Sequence, residues 1–236
     1  MAETQTLKTL QRVIFPSAVE TDVVPLYVDA GVAAGVQLPT RIDGDATTSI
    51  TEAAQVQEQS AANIAANRTA AEGLIGRRSI NVNPGQSLSF GTYFNAFPAS
   101  YWRRWTDLKE VVLSVQTRGE GMVIVYKSNG RGVIQRVDAK LLSGDETSIF
   151  TLPLAPFGDG GWYWFDLSGT EDLELVEANW LGDIEPRADV QAGQATVQIT
   201  TMNKVDYCIN NIRALGSSPE IFDAVHEVLI VDQGSS

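Results

Sequence analysis

The 236 residues carry 17 Lys and Arg against 29 Asp and Glu, a formal net charge of −12 with 44% hydrophobic residues. A chain of this length buries a good core, as one large domain or as one domain with a piece of another. The acidic balance excludes a general nucleic-acid binder, whose phosphate contacts need a basic surface, but leaves room for a local basic pocket at Arg103 and Arg104.

Residues 1–38 hold two short apolar pieces, 12–15 and 23–28, broken by Pro16 and Pro25. This predicts an edge strand or ordered arm. Residues 43–77 are rich in Ala, Thr, Gln and Asn and contain no aromatic residue. Ser49 with Glu52 makes a capping box, and Gly73 and Gly76 are stops, so a helix is available over about 50–72. Its apolar face is mostly alanine, with only Ile50, Val56 and Ile64 larger. Such a helix buries little and is expected to dock loosely, as an insertion over 43–78.

From Ser79 the texture is β. Residues 79–83 and 86–90 read as strands either side of the Pro84-Gly85 turn. Residues 90–106 (FGTYFNAFPASYWRRWT) then concentrate aromatic side chains in one short span. Aromatics at this density fill a core or form a surface on which ring-shaped ligands stack. Gly91 and Pro98 break the span, predicting a strand or loop that turns into a short helix over 99–105. On that helix Trp102 and Trp105 share a face, as do Tyr101 and Trp105, while Arg103 and Arg104 project elsewhere, toward carboxylates or phosphates. The plainer alternative is a segment that plugs a β core.

Further runs rich in Val, Ile and aromatics follow at 110–117, 122–127, 133–138, 148–154, 162–167 and 173–177. They are separated by Gly119 and Gly121, 128–132, Ser143-Gly144, 158–161 and Ser168-Gly169. Even spacing with glycine-rich turns predicts an antiparallel β-sandwich or barrel, jelly-roll-like, over 1–193. Val111, Leu113 and Val115 alternate with Val112, Ser114 and Gln116, so one face is buried. Trp162 and Trp164 point opposite to Tyr163 and Phe165, which predicts an inner strand covered on both faces.

After Gln191-Ala192-Gly193 the pattern changes. Residues 195–200 read as a strand; Cys208, Ile209, Ile212 and Leu215 share one side of a helix that stops at Gly216; Pro219 opens a short helix; and 227–231 is a second strand. Strand, helix, strand in so short a span is a βαβ unit of a parallel sheet. One unit cannot cover both faces of its own sheet, so 194–236 reads as the truncated start of a second domain.

Ligands of open α/β sheets bind outside the carboxyl ends of the strands. Thr201, Asn203, Lys204, Asp232 and Gln233 stand there and are the right types for a nucleotide sugar: hydroxyl, amide and backbone groups for base and ribose, a cation for the diphosphate. Polar residues at strand ends also serve as plain caps and turns. No Cys/His metal spacing, glycine-rich phosphate loop or nucleophile–His–Asp set occurs. His226, the one histidine, falls just before a strand and reads as a helix-end or surface residue. Cys208, the one cysteine, packs on a buried helix face, excludes an internal disulfide and fits a reducing compartment. The opening MAETQTLKTL carries no basic-then-apolar signal, and no apolar run approaches the ~20 residues of a bilayer span, so the chain reads as soluble and cytoplasmic.

The aromatic run YFNAFPASYWRRWT resembles the N-terminal module of the polymerising galactofuranosyltransferases that build the galactan of mycobacterial-type cell walls. FGDGGWYWFDL at 157–167, ITTMNK at 199–204 and VDQG at 231–234 fit in the same order. The resemblance is dense over 88–167, weaker over 197–234, and fails over 43–77. It implies that 194–236 begins a GT-A-type domain using UDP-galactofuranose, in an inverting transfer to a galactan acceptor. The family pattern Pro-Thr-Phe-Asn-Arg, which binds the uridine nucleotide, is matched at Thr201 and Asn203. Thr200 stands in place of the proline, Met202 of the aromatic and Lys204 of the arginine, so the flat stacking face and the two-pronged donor are lost. Gln233 matches the glutamine that contacts uracil.

The resemblance also implies a divalent metal, Mg²⁺ or Mn²⁺, on the diphosphate. Its Asp-x-Asp ligands, its histidine ligand and the catalytic-base aspartate lie downstream, so this segment carries no catalytic or metal residue and is expected to be inactive alone. The triplet Asp43-Gly44-Asp45 has the metal-binding form but follows no strand. Homo-oligomers at the inner face of the plasma membrane are implied, with peripheral membrane contact through sequence beyond this segment. Trp102, Arg103, Arg104 and Trp105 become candidates to meet acceptor or neighbouring subunit. The competing reading is a non-catalytic carbohydrate-binding or oligomerisation module, since nothing in the sequence places Trp162, Trp164 or Trp180 inside.

Overall fold

A computed structural model describes residues 7–17, 21–30, 68–184, 194–217 and 219–234. The chain divides into two compact units, Met1–Ile184 and Glu185–Ser236.

The first unit is mainly β. Its strands are β1 (Lys8–Arg12), β2 (Ile80–Val82), β3 (Ser87–Ser89), β4 (Glu110–Ser128), β5 (Ile134–Leu142), β6 (Asp145–Pro153) and β7 (Tyr163–Gly182), all in one antiparallel sheet. Two long strands, β4 and β7, pair with each other along most of their length. Outside β7 lie β1, β2 and β3; outside β4, β6 pairs with the first half and β5 with the second.

Each long strand replaces two short ones expected from the sequence. The glycines that read as turns are instead points of close approach. A Cβ at Gly119, whose φ is +114°, would lie 2.0 Å from the Asp172 carbonyl oxygen, and one at Gly121 would lie 2.3 Å from that of Ser168. Glycine lets the paired strands pass through an irregular register without ending either. A second irregularity, between Gln116 and Thr117, leaves an unpaired residue in β7. It shifts the buried positions from Leu173 and Leu175 to Ala178 and Trp180, so the strand keeps its apolar side inward across the bulge.

On β4, Val111, Leu113 and Val115 are fully buried, as their alternation predicts. They join one cluster with Phe15, Phe90, Phe97, Phe157, Tyr163, Phe165 and Trp180. Phe90 stacks on Phe165 at 4.4 Å between centroids, and Phe97 on Trp180 at 5.1 Å. The buried Asn95 ties the N-terminal arm to this core. Its Oδ1 accepts from Ile14 N at 2.9 Å, and its Nδ2 donates to the carbonyls of Ile14 (2.9 Å) and Tyr27 (2.6 Å). Pro25 lies within a 3-10 helix at Thr21–Leu26.

β7 is an inner strand, held between β3 and β4, and its second face is covered only in part: Asp166 is buried and Trp164 half-buried there. Tyr163 and Phe165 are buried, whereas Trp162 is 46% exposed. Of the alanine-rich stretch 43–78, the residues up to 67 lie outside the described ones, with the capping box and the Asp43 triplet. Residues 68–72 are helical, Ala70 is fully buried and Ala71 packs on the core, so this end docks firmly. A helix, α1, occupies Ala99–Trp105 as expected.

The second unit runs β8 (Ala195–Thr201), α2 (Val205–Ser217), α3 (Pro219–Asp223) and β9 (Val225–Asp232), with β8 and β9 parallel. His226 lies inside β9, not before it, and is exposed. On α2 Cys208 is buried while Ile209 and Ile212 are exposed, because within this unit the described residues supply no further layer to cover them. No described helix is long and apolar enough to cross a membrane.

Candidate nucleotide-sugar site and aromatic pocket

Parallel pairing sets the carboxyl ends of β8 and β9 side by side. Thr200 registers with Val231 and Thr201 with Asp232, and Gln233 N–H donates to the Thr201 carbonyl at 2.9 Å. Beyond β8 the chain turns through Asn203, whose φ of +53° is left-handed, a conformation that asparagine tolerates better than most residues. Lys204 then opens α2, its carbonyl accepting from Cys208 N at 3.1 Å. Thr200, Met202, Asn203, Lys204 and Gln233 are exposed. The Lys204 Nζ lies 5.5 Å from the centre of the Tyr207 ring. Thr201 Oγ1 is buried and has no hydrogen-bond partner. The fold thus brings together Thr200, Thr201, Met202, Lys204 and Gln233 beside a helix N-terminus, where N–H groups and the helix dipole favour an anion.

The Trp102–Trp105 group divides differently from the sequence expectation. Trp102 is partly buried and stacks on Phe97 at 6.0 Å, part of the plug over the β core. Trp105 is 67% exposed, with the Arg104 guanidinium 5.4 Å above its ring. The two tryptophans therefore do not share an environment: α1 rests on the core along a narrow stripe that reaches Trp102 and stops short of Trp105.

A pocket of about 750 Å³ lies elsewhere in the first unit, lined by Gln11, Gly91, Thr92, Tyr93, Phe94, Ala96, Pro98, Ser128, Gly132, Ile134, Trp162 and Trp164. Sequence reasoning set Trp162 and Trp164 on one face of a strand covered on both sides, while leaving them open to a sugar-binding role, and did not single out Tyr93. Trp162 is instead 46% exposed. The available signal was the glycine-rich turns at 128–132 and 158–161, of which the small residues Ser128 and Gly132 line the pocket beside Trp162. Trp180, by contrast, is fully buried, with Nε1 donating to the Asn95 carbonyl at 3.4 Å.

Asp166 continues the Trp162–Trp164 side of β7. It is buried, and burial pushes its carboxyl up to about 6, helped by the like charge of Asp29 and opposed by a hydrogen bond from Ser89. Its Oδ1 has no hydrogen-bond partner. Among the described residues no three His, Cys, Asp or Glu side chains are grouped so as to hold a metal ion.

The chain is 38% identical over 166 residues to galactofuranosyltransferase GlfT2 of Mycolicibacterium smegmatis, and 36% identical over 162 residues to that of Mycobacterium tuberculosis. These alignments cover 68% and 67% of this chain but 25% of each relative, so the chain spans about a quarter of their length. Among solved structures, the CBM22-1–GH10 modules of Clostridium thermocellum xylanase 10B align with a TM-score of 0.31 and 12% identity, over 61% of this chain and 30% of that one. That likeness is too slight to carry an argument. The family described as Galactofuranosyltransferase 2 N-terminal matches residues 51–183, beginning inside the stretch where the resemblance by motif fails. With more than half its length matched, this chain belongs to the Galactofuranosyltransferase 2 N-terminal family.

Proposed function

We propose that this chain is the N-terminal part of a glycosyltransferase that moves galactofuranose from UDP-galactofuranose to a growing galactan chain of the cell wall. In this reading the second unit opens a GT-A-type donor domain, and the first unit is the N-terminal antiparallel β module. Among the described residues that module is built on one seven-stranded sheet rather than the two packed sheets of a sandwich. The observation that carries it is the pairing of β8 with β9, which sets Thr201 and Gln233 in contact at the strand ends beside Lys204.

Gln233 meets uracil, Thr200 and Thr201 meet the ribose, and Lys204 with the first turn of α2 meets the diphosphate. The buried Thr201 hydroxyl, which lacks a protein partner, supports the reading, since such a group is costly unless something pairs it. Met202 offers less stacking than an aromatic side chain, and Lys204 offers a point charge instead of a two-pronged donor. The described residues do not fit a divalent metal, so no step is assigned to Mg²⁺ or Mn²⁺ here. The working protein is a homo-oligomer at the inner face of the plasma membrane, with galactan as acceptor.

Titrating the 236-residue chain with UDP by calorimetry tests this. Saturable binding is expected, weakened about tenfold or more in Lys204→Ala, which removes a charge-assisted contact worth about 1.5–3 kcal/mol. Gln233→Ala, which removes a neutral contact worth about 0.5–1.5 kcal/mol, is expected to weaken it about threefold to tenfold. Absence of binding, or equal binding by both variants, removes the donor role from this unit.

A further inference from the structure

We propose that the aromatic pocket of the first unit is a binding subsite for a neutral glycan chain, which it holds by stacking sugar rings on Trp162, Trp164 and Tyr93. This rests on the reading of the chain as part of a galactan-building enzyme, and assigns the acceptor-holding role to residues other than those of α1.

The pocket's volume, about 750 Å³, falls within the range of small-ligand sites. Trp162 is 46% and Tyr93 80% exposed, so each offers a ring face to solvent rather than to the core. Exposed aromatic rings suit a ligand with an apolar face and a polar edge. A sugar ring is such a ligand: its C–H face stacks while its hydroxyls project sideways. None of the lining residues is Lys, Arg, Asp or Glu. An anionic ligand such as a phosphate or a nucleic acid would find no countercharge there, and the net charge of −12 would repel it. A neutral polyhydroxylated chain meets no such penalty.

Polar edges are also provided. The Gln11 Nε2 donates to the carbonyls of Phe94 (3.0 Å) and Ala96 (3.2 Å), which leaves Oε1 to accept from a ligand hydroxyl. The indole N–H groups of Trp162 and Trp164 make no hydrogen bond among the described residues, and serve as donors.

The tryptophan side of the site is built before any ligand arrives. Trp164 is stacked on Tyr126 at 5.8 Å and packs so closely against Gly91 that a Cβ there would stand 3.0 Å from the indole. The backbone of Trp162 is fixed to Ser128 by two hydrogen bonds, Ser128 N to the Trp162 carbonyl at 2.9 Å and Trp162 N to Ser128 Oγ at 3.2 Å. The held Trp164 ring and the fixed Trp162 backbone lose little freedom on binding, which favours affinity.

The test titrates the 236-residue chain with a soluble galactofuranose tetrasaccharide, read by tryptophan fluorescence and calorimetry, with n-decanol and UDP as separate probes. Saturable tetrasaccharide binding is expected, weakened at least about fivefold by Trp162→Ala and by Tyr93→Ala, and unchanged by Trp105→Ala. Tyr93 lies on an exposed loop, so its variant reports even where Trp162→Ala does not fold. No tetrasaccharide binding, binding indifferent to both pocket variants, or stronger binding of decanol overturns the proposal. UDP binding without glycan binding defeats the pocket alone. Glycan binding without UDP binding leaves the pocket standing and defeats the donor reading.

Discussion

Asp166 and Asn95 are both buried polar side chains in the first unit, with opposite consequences. Asp166 keeps a proton in the folded state to about pH 6, against 3.8 for an ordinary aspartate. Between those values the folded protein holds a proton that the unfolded chain has released, so stability falls as pH rises. The contribution is whole below about pH 4 and lost above about pH 6, an effect of about 2–3 kcal/mol. Asp166→Asn is expected to flatten this slope and to raise stability at pH 7.5, as measured by urea unfolding at pH 4.5 and 7.5. An unchanged slope would contradict the burial argument. Asn95, by contrast, is fully satisfied. Asn95→Ala leaves the Ile14 and Tyr27 backbone groups without their partners and is expected to lower stability by about 2–4 kcal/mol at any pH.

At the scale of elements, the long pairing of β4 with β7 depends on glycine where the two backbones crowd each other. Gly119→Ala puts a methyl group against the Asp172 carbonyl oxygen in a left-handed conformation. A loss of about 2–4 kcal/mol is expected by thermal or urea unfolding. Gly132, with φ of +78° and nothing within 4 Å of an added Cβ, is the control. Gly132→Ala carries only the backbone penalty, about 1 kcal/mol. Equal losses at the two positions would show that crowding at Gly119 is not what the glycine is for. The strand pattern was legible on the first half of β4, where Val111, Leu113 and Val115 alternate with Val112, Ser114 and Gln116, because alternation survives in any register. That β4 and β7 are continuous was not legible, since Gly119, Gly121 and Gly169 carry the same composition as a turn. Only the approach of the partner strand separates the two meanings.

On the scale of the whole molecule, the hydrophobic core belongs to one unit. Every residue of the large buried cluster lies in the first, and Cys208 is the one buried hydrophobic residue described in the second. A piece comprising residues 1–184 is therefore expected to unfold cooperatively, while 185–236 alone shows no cooperative transition, because two strands and two short helices bury too little apolar surface. Circular dichroism during heating measures both. A cooperative transition in the smaller piece would mean that its exposed Ile209, Ile212 and Ile230 find cover within the unit itself.

The sequence by itself determined the β character of the first unit, the helix at Ala99–Trp105 and the strand–helix–strand order of the second, because local periodicity, proline and glycine act over a few residues. The family, too, was legible from the order of the aromatic motifs. What tertiary structure alone decided is which aromatic rings are core and which are surface. Trp162 and Trp180 both belong to β-rich stretches of the chain, yet Trp180 is sealed inside and Trp162 opens on a pocket. A ring's exposure depends on the strands and loops laid over it from distant parts of the chain, and that information has no local signature.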